Sequence, residues 1–147
     1  MEAKSLSAPH SIGRQLNFAA STASAVCNQL LEPHGLTLAQ WAVLVVLWRN
    51  GEASVKDIAA LTGNAPPAAS RIVDRMVAAD LVERRQNPTD RRAVSVALTE
   101  KGEGLRPLHD IYEQVNAVML ADLSEAEAET LFALLARVQA SGRNWMK

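Results

Sequence analysis

The stretch NPTDRRAVSVALTEKG, residues Asn87 to Gly102, decides the fold of this chain. Asn87 to Asp90 is a cluster of turn-forming residues, and the flanking segments Val82 to Arg85 and Ala93 to Leu98 alternate with a period of two. Two alternating segments joined by a short turn predict an antiparallel hairpin. Because a two-stranded hairpin is only marginally stable in water, we expect it to pack on neighbouring helices.

The segment before the hairpin has the spacing of a helix-turn-helix. Ser54 is a favourable N-cap for a short helix, and Thr62 to Asn64 form a turn around a glycine. Apolar residues then recur three and four positions apart from Pro66 to Ala79, which predicts a second helix. The expected core of the motif is Ile58, Ala69, Ile72 and Met76. Followed by a hairpin, this motif predicts a winged helix-turn-helix.

Amphipathic helices are predicted on both sides of this motif. They cover Ser11 to Leu31, Thr37 to about Trp48, a segment after Thr99 with the apolar line Leu105, Leu108, Tyr112, Val115 and Met119, and a last helix opened by the capping box Ser124 to Glu127. The fold class is therefore mainly α with a small antiparallel β wing. We expect one domain over residues 1–147, with the winged helix-turn-helix at 36–99 between helical regions at 11–32 and 100–147.

Composition limits where nucleic acid can bind. The 147 residues carry a formal net charge of −1, so DNA binding requires a local basic patch. Cys27 is the only cysteine, which excludes an internal disulfide framework and suits a reducing compartment. The sequence contains neither a leader pattern nor an apolar run of membrane-spanning length, so we expect a cytoplasmic protein without a membrane partner.

The second helix of the motif carries few side chains that read bases. Arg71 is the best candidate for a phosphate or a guanine edge, Ser70 can bond to either, and Arg75 lies one turn further on. Pro67 and Ala68 can offer only apolar contact, for example with thymine methyl groups. In the alternative interpretation, Arg71 and Arg75 pair with acids on their own helix, such as Asp74.

The hairpin concentrates four arginines, Arg84, Arg85, Arg91 and Arg92, whose like charges repel one another unless a polyanion is the partner. An arginine on a projecting wing can enter the minor groove, where the negative potential is strongest when the groove is narrow. Asp90 can orient Arg92. The alternative is a solvated turn whose local Asp and Arg pair is worth under about 1 kcal/mol.

With these features in place, residues Leu36 to Leu105 closely resemble the MarR family of winged-helix transcriptional regulators. The likeness is strongest in LTLAQWAVL, in ASRIVDRMVAADLVERR and in NPTDRRAVSVALTEKG, whose Asp-x-Arg tip and Leu-Thr-Glu-Lys-Gly end are the family's most recognisable signature. The sequence departs from the family pattern at Asn64 and Ala65, where relatives usually have an apolar residue and a polar cap.

The resemblance implies a homodimer joined by the helices Ser11 to Leu31 and Ser124 to Met146. It also implies binding to a pseudo-palindromic operator, usually as a repressor, with release by a small aromatic ligand or by thiol oxidation. By position, Arg92 would enter the minor groove, Asp90 would orient it, and Ser70 and Arg71 would contact DNA from the recognition helix. The reactive cysteine of peroxide-sensing relatives would fall near Gly13, so we expect Cys27 to be a packed apolar residue.

The effector site is the least specified part of the prediction. Phe18, Trp41 and Trp48 are candidates to line a crevice, and His34 or Arg14 to meet an anionic group, although these residues also suit core and surface positions. Two other functions stay open: a winged-helix module that binds proteins, and redox sensing through Cys27. The three histidines have no acidic partners at motif spacing, so we expect no enzyme, metal or cofactor.

Overall fold

The computed structural model describes residues 10–86, 89 and 94–147, and the prediction of a mainly α fold with a small antiparallel sheet is confirmed. The helices are α1 (Ile12–Leu31), α2 (Leu38–Asn50), α3 (Val55–Thr62), α4 (Pro66–Ala78), α5 (Glu100–Gly104), α6 (Ile111–Met119) and α7 (Glu125–Trp145). The strands are β1 (Ala53–Ser54), β2 (Val82–Gln86) and β3 (Val94–Leu98). The chain divides into two compact units, Met1–His109 and Asp110–Lys147.

Side-chain caps begin the helices at the predicted residues. Ser11 caps α1 and Ser54 caps α3, each by accepting a hydrogen bond from a backbone N–H in the first turn. Thr37 and Gln40 form a complete capping box on α2, as Ser124 and Glu127 do on α7. These local bonds satisfy N–H groups that have no partner within the helix, which explains why short polar patterns located the helix starts well.

The sheet has three strands rather than the predicted two. β1 pairs antiparallel with β3, and β3 pairs with β2, so the strand order is β1-β3-β2. With only two residues, β1 is too short to show an alternating pattern, and its register with Ser95 and Val96 is set by the tertiary fold. The extra strand gives the hairpin support along the edge of β3.

The helix predicted after Thr99 is interrupted. α5 ends at Gly104, a 3-10 helix spans Arg106–Asp110, and α6 then runs to Met119. Gly104 has a low helix propensity, and Pro107 has no backbone N–H to donate. The apolar spacing alone therefore predicted one continuous helix where the backbone changes to a tighter turn.

The first compact unit has an apolar core between α2, α3, α4 and the sheet. α2 contributes Val43, Leu44 and Leu47, and the helix-turn-helix contributes Ile58, Ala69, Val73 and Met76, all at 1% exposure or less. Ile72, which was expected in this core, is only half-buried.

Among the described residues, none of the helices has by itself the length and apolar character of a membrane span. Ile12–His34 and Leu38–Asn50 meet that test only as a pair bent by 76°.

The end of the signature, Thr99 to Gly102, fastens the wing to the helix-turn-helix. The Thr99 hydroxyl donates to the carbonyl of Asp80 at 2.5 Å, and Lys101 Nζ donates to the carbonyl of Ala79 at 3.0 Å. Gly102 lies directly against the carbonyl of Leu81, where a Cβ would overlap with the oxygen. We call these contacts the clasp; they join the start of α5 to the turn between α4 and β2.

The clasp predicts that Gly102→Ala is strongly destabilising. The added methyl has to displace backbone at Leu81, so we expect a loss of about 1–3 kcal/mol or more in the free energy of unfolding, measured by chemical denaturation. Gly104→Ala is the matched control, because nothing lies within 4 Å of a Cβ there. It should be neutral or stabilising by up to about 1 kcal/mol. Equal stability of the two variants would contradict the role of the clasp.

Candidate nucleic-acid interface

The corner of the helix-turn-helix is closed by Gly63 and two polar neighbours. Gly63 has a φ of 73°, the left-handed conformation expected there. Its backbone N–H and that of Asn64 both donate to the carbonyl of Ala59. Asn64 Nδ2 also donates to the Thr62 hydroxyl at 2.9 Å. Asn64 therefore helps to close the corner, which accounts for a polar residue where the family usually has an apolar one.

The entrance of α4 is poor in polar groups. Ala65 is the N-cap and makes no side-chain hydrogen bond, while Pro66 and Pro67 occupy the first positions of the helix. Neither proline has a backbone N–H, and the N–H of Ala69 donates to the carbonyl of Ala65 at 3.0 Å. Ala65, Pro66 and Pro67 are exposed. This entrance consequently presents an apolar surface rather than a set of anion-binding amides.

The outward face of α4 carries the predicted reading residues. Pro67, Arg71 and Asp74 are exposed and follow one another at helical spacing, whereas Ser70 is half-buried. Arg71 Nε lies 3.4 Å from the carbonyl of Pro67, which turns the guanidinium toward the start of the helix. Asp74 pairs with Arg84 instead of with a cation of its own helix. Among the described residues, neither Arg71 nor Arg75 forms an ion pair.

The two arginines of β2 are balanced by carboxylates. Arg84 Nη1 lies 2.6 Å from Asp74 Oδ1, and Arg85 pairs with Glu83 and Glu52. The expectation of unrelieved repulsion at this end of the hairpin is thus wrong for Arg84 and Arg85, because each has an acidic partner within the chain. Their assignment to DNA binding stays a prediction, and the outward cations of α4 are freer to bind it.

Glu52 is a tertiary partner that the sequence did not indicate. It accepts a hydrogen bond from the Ser95 hydroxyl at 3.0 Å and also pairs with Arg85. These two groups, Ser95 first, lower the pKa of the Glu52 carboxyl, and Glu83 followed by Glu52 raises the pKa of Arg85. Glu52 and Arg85 are 33 residues apart, so only the β1-β3-β2 pairing could have revealed their contact.

The predicted wing tip lies outside the described residues. This applies to Asp90, Arg91 and Arg92, and to Asn87 and Pro88 in the turn. The proposed orientation of Arg92 by Asp90 accordingly rests on the sequence and on the family resemblance. The strands that lead to the tip are described up to Gln86 and from Val94 onward.

The two tryptophans proposed for an effector site both donate their indole N–H to a backbone carbonyl. Trp48 is 7% exposed and its indole N–H donates to the carbonyl of Gly102 at 3.1 Å. Trp41 donates in the same way to the carbonyl of Leu108 at 2.8 Å. Their spacing of seven residues puts both indoles on the side of α2 that faces the segment after the wing. Trp48 is therefore a core residue, which is the alternative that the sequence left open for it.

Arg14 and Phe18 are the effector candidates that come together. The Arg14 guanidinium lies 4.7 Å from the centre of the Phe18 ring, and both residues line a shallow cavity of about 460 Å³ with Asn17 and Ser21. A second cavity, of about 890 Å³, lies between the end of α1, the start of α2 and the helix-turn-helix corner. Trp41, Trp48 and His34 line neither cavity.

Cys27 is packed, as predicted. It is 5% exposed on α1, and burial raises the pKa of its thiol, which disfavours the nucleophilic thiolate. Within the described part of the chain, no three His, Cys, Asp or Glu side chains lie close enough together to hold a metal ion.

Comparisons with known proteins agree on one family. Residues 34–93 match the family model described as MarR family. The transcriptional regulator MhqR of Bacillus subtilis is 34% identical over 114 residues, which cover 76% of this chain and 77% of MhqR.

Solved structures give the same result. A mutant of MarR from E. coli in complex with operator DNA superimposes with a TM-score of 0.79 at 26% identity, covering 86% of this chain and 92% of MarR. BpsR from Bordetella bronchiseptica, whose DNA binding is regulated by 6-hydroxynicotinic acid, superimposes with a TM-score of 0.78 at 27% identity, covering 88% of this chain and 94% of BpsR.

Proposed function

Because the chain belongs to the MarR family of transcriptional regulators, we propose that it is a cytoplasmic, homodimeric repressor that binds a pseudo-palindromic DNA operator. It would act by binding and not by catalysis, and would release DNA when a small aromatic ligand binds. The two recognition helices of a two-fold dimer would enter successive major grooves about one DNA turn, roughly 34 Å, apart.

The observation that carries this proposal is the outward face of α4. Arg71 and Arg75 are exposed there without a carboxylate partner among the described residues, while Asp74 is engaged by Arg84. A near-neutral chain that leaves cations unpaired on the second helix of a helix-turn-helix has its positive charge where a DNA reader requires it. The likeness to a MarR structure that contains operator DNA supports the same assignment.

Exposed apolar faces on the terminal helices support the homodimer. None of the residues of α7 is buried in the single chain, although Leu131, Leu134 and Val138 form an apolar line at helical spacing. Leu131 and Leu134 also line a groove of about 540 Å³ on this helix. On α1, Ile12 is more than half exposed. Apolar surface of this kind is typical of a protein interface.

Support for an effector comes mainly from BpsR, which responds to an aromatic acid. Arg14 and Phe18 offer a cation beside an aromatic ring, which suits a small aromatic anion. Regulation by oxidation of Cys27 is less favoured, because that thiol is buried and its pKa is raised. The unpaired cations on α4 also favour DNA over a protein as the partner of the winged helix.

Substitution in the wing tests the DNA-binding proposal. Arg92→Ala should cost about 1–3 kcal/mol of operator-binding free energy, the range for a lost arginine contact. Asp90→Ala should cost less, because it loosens Arg92 without removing it. Affinities are measured on a duplex selected by the wild-type protein from random DNA. Arg137→Ala, in the other compact unit, is the control. Wild-type affinity in Arg92→Ala would rule out the wing contact.

A charge placed on the apolar line of α7 tests the dimer. Leu134→Glu should shift the protein from dimer to monomer in analytical ultracentrifugation, because it puts a carboxylate among exposed apolar side chains. Ala133→Glu adds the same charge on another side of the helix and should remain dimeric. The dimer proposal fails if the wild type itself sediments as a monomer, and the α7 interface is wrong if both variants remain dimers.

A further inference from the structure

We propose that Pro67 selects the operator half-site by apolar contact with a thymine methyl group in the major groove. The inference rests on the proposed function, and it specifies which base chemistry the recognition helix reads. Pro67 is exposed near the start of α4, and the N-terminal residues of such a helix are the ones that reach base edges.

The placement of Pro67 on the helix separates it from its neighbour Pro66. Pro67, Arg71, Asp74 and Ala78 are exposed at intervals of four, three and four residues, which defines one outward face. Ala69, Val73 and Met76, on the inward side, are fully buried. Pro66 precedes Pro67 by a rotation of about 100° toward the inward side. Pro67 therefore shares the face of Arg71, whose unpaired guanidinium complements the charge of DNA.

The chemistry of this surface favours one base. The Pro67 ring has no donor or acceptor, and the carbonyl of Pro67 faces Arg71 Nε. In the major groove, thymine presents a methyl group, whereas adenine, guanine and cytosine present hydrogen-bonding atoms without a methyl group. Covering those atoms with an apolar ring would leave them without a partner, which costs binding free energy. The same ring gains affinity when it covers a methyl group.

The rest of the helix entrance offers little competition for this contact. Ala65 makes no side-chain hydrogen bond, and Pro66 and Pro67 lack the N–H groups that would otherwise bind phosphate. The apolar surface is therefore the main feature that the entrance of α4 offers to a base. It is the part of the outward face that lies ahead of Arg71, so the thymine it contacts should be close to the base or phosphate that Arg71 binds.

Replacing thymine by deoxyuridine tests the contact directly, because uracil pairs as thymine does but lacks the methyl group. The probe is the duplex that the wild-type protein selects from random DNA, with each thymine replaced in turn. One thymine in each half-site should lower affinity about three- to fivefold when replaced, as expected for one buried methyl group. Pro67→Ser should abolish this penalty, and Pro66→Ser, the same change one residue earlier, should keep it.

The outcomes separate the two proposals. If the wild-type protein selects no sequence from random DNA, the proposed function fails and the thymine contact with it. If it selects a duplex but no deoxyuridine lowers affinity, the thymine contact is wrong and the regulator remains. The contact is also wrong if Pro67→Ser, shown to be folded by thermal melting, keeps the wild-type penalty.

Discussion

The close approach of Gly102 to the carbonyl of Leu81 is the constraint on which the arrangement of the helix-turn-helix and the wing depends. It brings the start of α5 against the turn that joins the recognition helix to the wing, and Thr99 adds a hydrogen bond to Asp80. The Gly102 carbonyl in turn accepts the indole N–H of Trp48, which ties the clasp to the core helix α2. Recognition helix, wing and core are thus held together at one short segment of the signature.

Ion pairs then determine which positive charges remain available to bind DNA. Asp74 takes up Arg84, and Glu52 with Glu83 takes up Arg85, so the base of the wing is internally balanced. Such exposed pairs add little stability on their own. Their effect is on where unpaired positive charge lies. The cations on the outward face of α4 stay unpaired, while the chain as a whole stays near neutral.

Local patterns predicted the parts of this fold that local forces determine. The capping box at Ser124 and the glycine turn at Gly63 were visible because the residues involved are within a few positions of each other. Strand β1 and the pair between Glu52 and Arg85 were not, since both depend on distant segments meeting in the sheet. The tryptophans were ambiguous in sequence because an indole N–H can serve a ligand or a backbone carbonyl.

A nearly neutral chain that binds DNA through a few well-placed cations should show a marked salt dependence of operator binding, and this dependence is the most direct test. A dimer that neutralises about six to eight phosphates should give a slope of about −5 to −7 for the logarithm of the binding constant against the logarithm of salt concentration. A slope near zero for the selected duplex would contradict the account, because binding would then proceed without phosphate contacts.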